Sequence, residues 1–121
     1  MQKITTFEEA CAITGDSPVL PYPTPANKDE EADNYMRQMR IIARALNPKD
    51  YQPDYVNSNE RKWYPWMIYN ESSSCFRFFD SGYDCTYANA GSGVRLYSKE
   101  ISDYFGRTFE QLISDHLLTQ Q

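Results

Sequence analysis

Between positions 63 and 69 the chain reads Trp-Tyr-Pro-Trp-Met-Ile-Tyr. This run holds both tryptophans and two of the ten tyrosines. Aromatic side chains are the largest apolar surfaces a chain can bury, so the fold has to be organised around it. The residue types favour a strand. Pro65 has no donor, which starts that strand after it or puts it at an edge. A second strand is read at Cys75-Phe76-Arg77-Phe78-Phe79 and a third at Val94-Arg95-Leu96-Tyr97. Asn70-Glu71-Ser72-Ser73 suits the turn between the first two.

Helical periodicity brackets these strands. Thr6-Phe7-Glu8-Glu9 has the form of a capping box, and Gly15 suits the left-handed residue that ends a helix, which predicts a short helix over 6–14. Four prolines between positions 18 and 25 forbid regular structure and predict an extended connector. Ala32, Tyr35, Met36, Met39, Ile42, Ala43 and Leu46 recur at helical spacing, with acids in the first turn, and predict a long helix over 28–46. Residues 47–62 are polar and turn-rich and read as an irregular loop. After Ser98, an apolar stripe from Ile101 to Leu117 predicts one long final helix with a weak point at Gly106, where the helix kinks or a neighbour packs closely. The expected fold is therefore α+β in a single domain over 1–121. A three-stranded, mainly antiparallel sheet is covered on one face by two long helices and one short N-terminal helix.

Strand alternation assigns the faces. The register that keeps all arginines on one side stacks Trp66, Ile68, Phe76, Phe78, Val94 and Leu96 against the helices. It leaves Met67, Tyr69, Arg77, Phe79, Arg95 and Tyr97 outside. Tyrosine and arginine are enriched in interface cores, so Met67, Tyr69, Arg77, Arg95 and Tyr97 are the candidate binding residues, for a protein partner or for a second copy. The same interleaving can stack bases, which makes single-stranded nucleic acid the alternative. The bland reading is that the 47–62 or 80–93 loop covers the face. Arg37, Arg40 and Arg44 form a stripe on the long helix that reads as a solvated face, with Asp33 and Arg37 paired.

Chemistry is poorly represented. The one histidine, His116, lies on an apolar stripe, and nothing in the spacing brings it to Cys75 or Cys85. Asp80 and Asp84 lack a histidine or third acid nearby in sequence. Gly91-Ser92-Gly93 lacks the lysine of a phosphate loop. No catalytic residue, metal site or cofactor is read. A net charge of −5 disfavours non-specific contact with nucleic acid and anionic membrane. Three cysteines without a CxxC pair suit reduced thiols, and the N-terminus has no apolar run of a leader, which together point to a cytoplasmic protein.

Gly93-Val94-Arg95-Leu96-Tyr97-Ser98-Lys99-Glu100, Tyr104-Phe105-Gly106 with Phe109, the Trp63–Trp66 run and Ala43-Arg44-Ala45-Leu46-Asn47 resemble small proteins of phages, prophages and mobile elements of gut Bacteroides-type bacteria. The likeness covers roughly residues 30–115 and is structural in type. It implies a bacterial host and transfers no catalytic residue.

Overall fold

A computed structural model describes residues 3–88 and 93–119. The expectations for Gly91, Ser92, Gln120 and Gln121 fall outside these. The elements run α1 (Phe7–Thr14), α2 (Lys28–Leu46), β1 (Lys62–Asn70), β2 (Cys75–Asp84), α3 (Lys99–Thr108) and α4 (Glu110–Leu118).

The first two helices form as their sequences dictate. Thr6 Oγ1 accepts from the Glu9 N–H at 3.1 Å, and the Glu9 carboxylate reaches back to Thr6 Oγ1 and to the Thr5 N–H. Gly15 closes α1 at φ 81°. Asn27 caps α2 by accepting from the Glu30 N–H at 2.9 Å. Asn34 of α2 and Asn47, which caps its C-terminal end, then hold extended chain by two-point bonds. Asn34 grips Tyr22 through both its N–H and its carbonyl, and Asn47 accepts from Tyr97 N–H while donating to the Arg95 carbonyl.

The sheet is smaller than expected. Among the described residues it has two antiparallel strands, β1 and β2, and the expected third strand contributes a single bridge, Leu96 to Trp63. Val94 and Arg95 do not continue the ladder. The next bonded pair of that ladder would set Val94 against Pro65, which has no N–H to give, and the Arg95 carbonyl and Tyr97 N–H, on the side away from β1, go to Asn47. The final helix is two helices rather than one. The break falls at Phe109 (φ −109°, ψ 28°), which starts α4 without a side-chain cap. Gly106 stays helical and marks where α3 presses on the hairpin: a Cβ would lie 2.9 Å from Pro65 Cβ and overlap the edge of the Phe78 ring. Among the described residues the fold thus has four helices and a two-stranded sheet, not three helices and three strands.

The face assignment of β1 also reverses. Trp66 and Ile68 are 55% and 54% exposed, whereas Met67 packs against the core. Pairing sets Met67 opposite Phe78 and Tyr69 opposite Phe76, so these share the helix side, with Ile68 opposite Arg77 outside. A bulge between Trp66 and Met67 leaves Phe79 unopposed and 69% exposed. The core itself is helical: Ile41, Ile42, Leu46, Phe105 and Ile113 meet Ile4, Ala10 and Leu96. Of the six residues assigned to the sheet's buried face, only Leu96 is fully enclosed. No helix among the described residues is long and apolar enough to cross a membrane.

Candidate functional site

The two edges of the hairpin differ, and the difference begins in the backbone. In an antiparallel ladder, alternate residues turn their N–H and C=O groups away from the partner strand. On β2 these are Phe76 and Phe78. Helix α4 meets both: Ser114 Oγ accepts from the Phe76 N–H at 2.8 Å, and Glu110 Oε2 accepts from the Phe78 N–H at 2.7 Å. Four helical residues rise ~6 Å and two strand residues ~6.8 Å, so an i, i+4 pair on a helix matches an i, i+2 pair on a strand edge. Arg77 adds a 2.8 Å ion pair to the same Glu110 carboxylate.

On β1 the outward residues are Trp63, Pro65, Met67 and Tyr69. Trp63 exchanges both its bonds with Leu96, at 3.0 and 2.8 Å. Beyond it, the N–H groups of Met67 and Tyr69 donate to no described residue. Here the chain leaves a groove of about 690 Å³, lined on one side by Tyr64–Met67 and on the others by Met36, Val94, Arg95 and Leu117. No charged side chain lies between Trp63 and Tyr69 to blunt this edge, and Pro65 is the one residue there that cannot pair.

The five sequence-derived binding residues do not share one face. Met67 is half-buried on the helix side. Tyr69 is beside it, half-exposed and edge-on to Phe76 at 5.3 Å. Arg77 is outside but engaged by Glu110. Arg95 lies in the groove with its guanidinium 4.9 Å from the Tyr64 ring. Tyr97 is at the far end of α2, edge-on to Tyr51 at 5.5 Å. Met67 and Tyr69 sit on the free edge, and Arg95 faces it across the groove. The exposed apolar surface that sequence alternation did not find is Trp66, Ile68 and Phe79. Burial pushes the Tyr64 phenol up, with the Asp84 carboxylate adding to it, and pushes Tyr51 up to about 12.

The arginine stripe of α2 is tied to the proline-rich connector. Arg44 meets Asp16 at 3.0 Å and Arg37 donates to the Ser17 carbonyl, in place of the expected Asp33–Arg37 pair.

One polar cluster has the residue types of catalysis. Ser81 Oγ donates to Asp103 Oδ1 at 2.6 Å, and Lys99 lies 2.9 Å from Asp103 and 3.3 Å from Asp80. The hydrogen bond to Asp103 holds the Lys99 ammonium above the ordinary lysine pKa, so it is not a base at neutral pH. Carboxylates as a class, near pKa ~4, are too weak to deprotonate a serine hydroxyl. The cluster joins β2 to α3. His116 is buried beside Leu117, and burial pushes its pKa down. Among the described residues no group of three or more His, Cys, Asp or Glu side chains is placed to hold a metal ion.

Two functional features had no reading in the sequence. Glu110 and Ser114 carried a signal, as polar residues at i, i+4 beside an apolar stripe. Lys62 carried only its position ahead of the aromatic run. It is completely buried, with its ammonium donating to the carbonyls of Asn57, Glu60, Cys85 and Asp54.

A scan against protein-family models, a search of curated proteins and a search of solved structures each find no match.

Proposed function

We propose that this chain is a non-catalytic interaction protein, an accessory protein of a phage or mobile element acting in the bacterial cytoplasm. It binds a protein chain through the free edge and solvent face of its hairpin. The observation that carries this reading is the contrast between the edges. Among the described residues the fold spends two side chains of α4 on covering β2 and leaves the outer edge of β1 beyond Trp63 uncovered, beside a mainly apolar groove. Strand addition to such an edge combines main-chain hydrogen bonds with side-chain pockets, and is a general mode of protein recognition. The three free cysteines and the likeness to phage proteins support the setting.

Single-stranded nucleic acid fits less well. The guanidinium groups of Arg61, Arg95 and Arg107 already stack on Tyr83, Tyr64 and Phe78, at 4.6, 4.9 and 5.1 Å. Those rings and cations are then not open to bases.

The test compares wild type with Ile68→Lys, which charges the exposed face without touching the core. Both proteins are examined by light scattering and by capture of proteins from extracts of infected bacteria. Self-association or capture that the variant loses supports the proposal. Behaviour that is identical in both proteins overturns it. So does single-strand binding that weakens steeply with salt, which would move the reading to nucleic acid.

A further inference from the structure

We propose that the occupant of the free β1 edge is the β1 strand of a second copy, giving a two-fold dimer with a continuous four-stranded antiparallel sheet. This rests on the reading above and names its partner. The geometry points to one register. Setting Ile68 against Ile68 at the dyad pairs Met67 with Tyr69 of the second copy, and Tyr69 with Met67. Those are the residues whose N–H and C=O groups point outward, so each pair exchanges both main-chain bonds. Pro65 then falls opposite Glu71 of the second copy, one residue past the end of that β1, so its missing N–H removes only the outermost bond of the seam. The one residue that cannot donate is thus placed where the edge ends.

Three further observations favour a second copy. First, a net charge of −5 would oppose self-association, but the stretch that meets at the dyad, 63–69, is uncharged. Charge enters only at the periphery, where the register brings the second copy's Glu71, at the exposed hairpin turn, toward the end of a groove lined by both Arg95 and Asp84. Second, Trp66 and Ile68 are both more than half-exposed on the solvent face. In the dimer the two Ile68 side chains oppose each other directly, flanked by Trp66 from each copy, which covers apolar surface that a lone hairpin leaves wet. Third, α4 covers the outer edge of β2, so the outer edge of β1 is the side on which this sheet can grow. The Trp63–Leu96 bridge shows that this edge already accepts an antiparallel partner for the one residue its own chain supplies.

The dyad pair is testable by cross-linking. Ile68 and its mate form a non-hydrogen-bonded pair, with Cα atoms about 4.5 Å apart, within the ~4.4–6.8 Å range of disulfides. Ile68→Cys is oxidised under mild conditions beside Phe79→Cys, a still more exposed site on β2 away from the seam, and beside wild type to gauge the native thiols. The expected result has three parts. Wild type scatters with a mass of about 28 kDa, twice the 14.1 kDa chain, as concentration rises. Ile68→Cys becomes a covalent dimer at least tenfold faster than Phe79→Cys. Ile68→Lys keeps its circular dichroism and stays monomeric. A wild-type monomer at every concentration, or equal cross-linking at 68 and 79, overturns the dimer. If Ile68→Lys still abolishes capture from extract, the protein-binding reading survives with a different partner. If neither capture nor self-association depends on Ile68, both readings fall.

Discussion

Lys62 shows how one residue can order a loop that has no regular structure. Its ammonium is fully buried and acts as a hub for carbonyls on both sides of the 54–60 loop and for Cys85 at the end of β2. The Tyr55 ring closes the cage at 5.2 Å. Removing the cation leaves those carbonyls without a donor, at ~1–3 kcal/mol for each that water cannot reach. Lys62→Met should therefore cost about 3 kcal/mol and lower the melting temperature by about 10 °C, read by calorimetry. Lys62→Arg should not rescue it, because a planar guanidinium cannot serve carbonyls arranged around a point charge. His116 predicts a pH dependence. Burial holds its pKa below the ordinary value, the Arg40 charge pushes the same way, and a bond to the Ala32 carbonyl opposes them. The unfolded chain therefore takes up the proton first as pH falls. Stability is full above about pH 6.5, the unfolded value, and declines below it until the folded histidine also titrates. The acids with lowered pKa values, Glu9, Asp16 and Asp80, contribute their loss only at more acidic pH. Melting temperatures between pH 7.5 and 5 should fall for wild type and stay flatter for His116→Phe, a window bounded by the histidine and carboxylate pKa ranges.

Among the elements, α3 and α4 carry the hairpin, and their contact with it is close enough to test. Gly106 lets α3 approach Pro65 and Phe78, so an added methyl meets the hairpin instead of solvent. In an exposed helix Gly→Ala would gain ~1 kcal/mol. Here overpacking costs ~1–3 kcal/mol, so Gly106→Ala should be net destabilising by ~1 kcal/mol, measured by urea denaturation. A stabilised variant would mean that the contact is looser than described. The helices were legible because their caps and periodicity are local: Thr6 with Glu9, Gly15, and the 28–46 stripe each carry their own signal. The alternative of close packing at Gly106 was also legible. The third strand was not, because Val94–Tyr97 has strand-forming residues but its pairing to β1 beyond Leu96 would fall on Pro65, which cannot donate, and that register is not visible in the sequence. Nor was the face of β1. The rule that all arginines share one side failed because Arg95 belongs to no strand and stacks on Tyr64 from across the groove. A bulge opposite Trp66 and Met67 has no sequence signal here beyond the extra phenylalanine it leaves outside. The site was legible in part: Met67 and Tyr69 belong to the free edge, Arg95 faces it, and Arg77 and Tyr97 are engaged elsewhere.

At the scale of the whole molecule, stability and recognition are held in different places. The enclosed apolar residues come almost wholly from α1, α2, α3 and α4, with Ile4, Leu96 and Phe109 completing them, and the hairpin lies on this helical body by one face. Two aromatic residues of similar size should then behave oppositely. Phe105 is fully buried at the centre, and Phe105→Ala should cost ~3–5 kcal/mol. Trp66, across the hairpin on the solvent side, should cost less than ~1 kcal/mol as Trp66→Ala in the monomer. The comparison belongs in the Ile68→Lys background, because a dimer that covers Trp66 would add its own association energy to the apparent stability. If Trp66→Ala proves as costly as Phe105→Ala in that background, the hairpin's outer face is part of the core and the edge loses its claim to be a recognition surface. If instead Trp66→Ala is nearly silent in the monomer but costly in wild type, and more so at higher concentration, the surplus measures what the tryptophan contributes across the seam. That outcome would explain why a chain with so helical a core keeps both of its tryptophans in the strand whose outer edge, beyond Trp63, has no partner among the described residues.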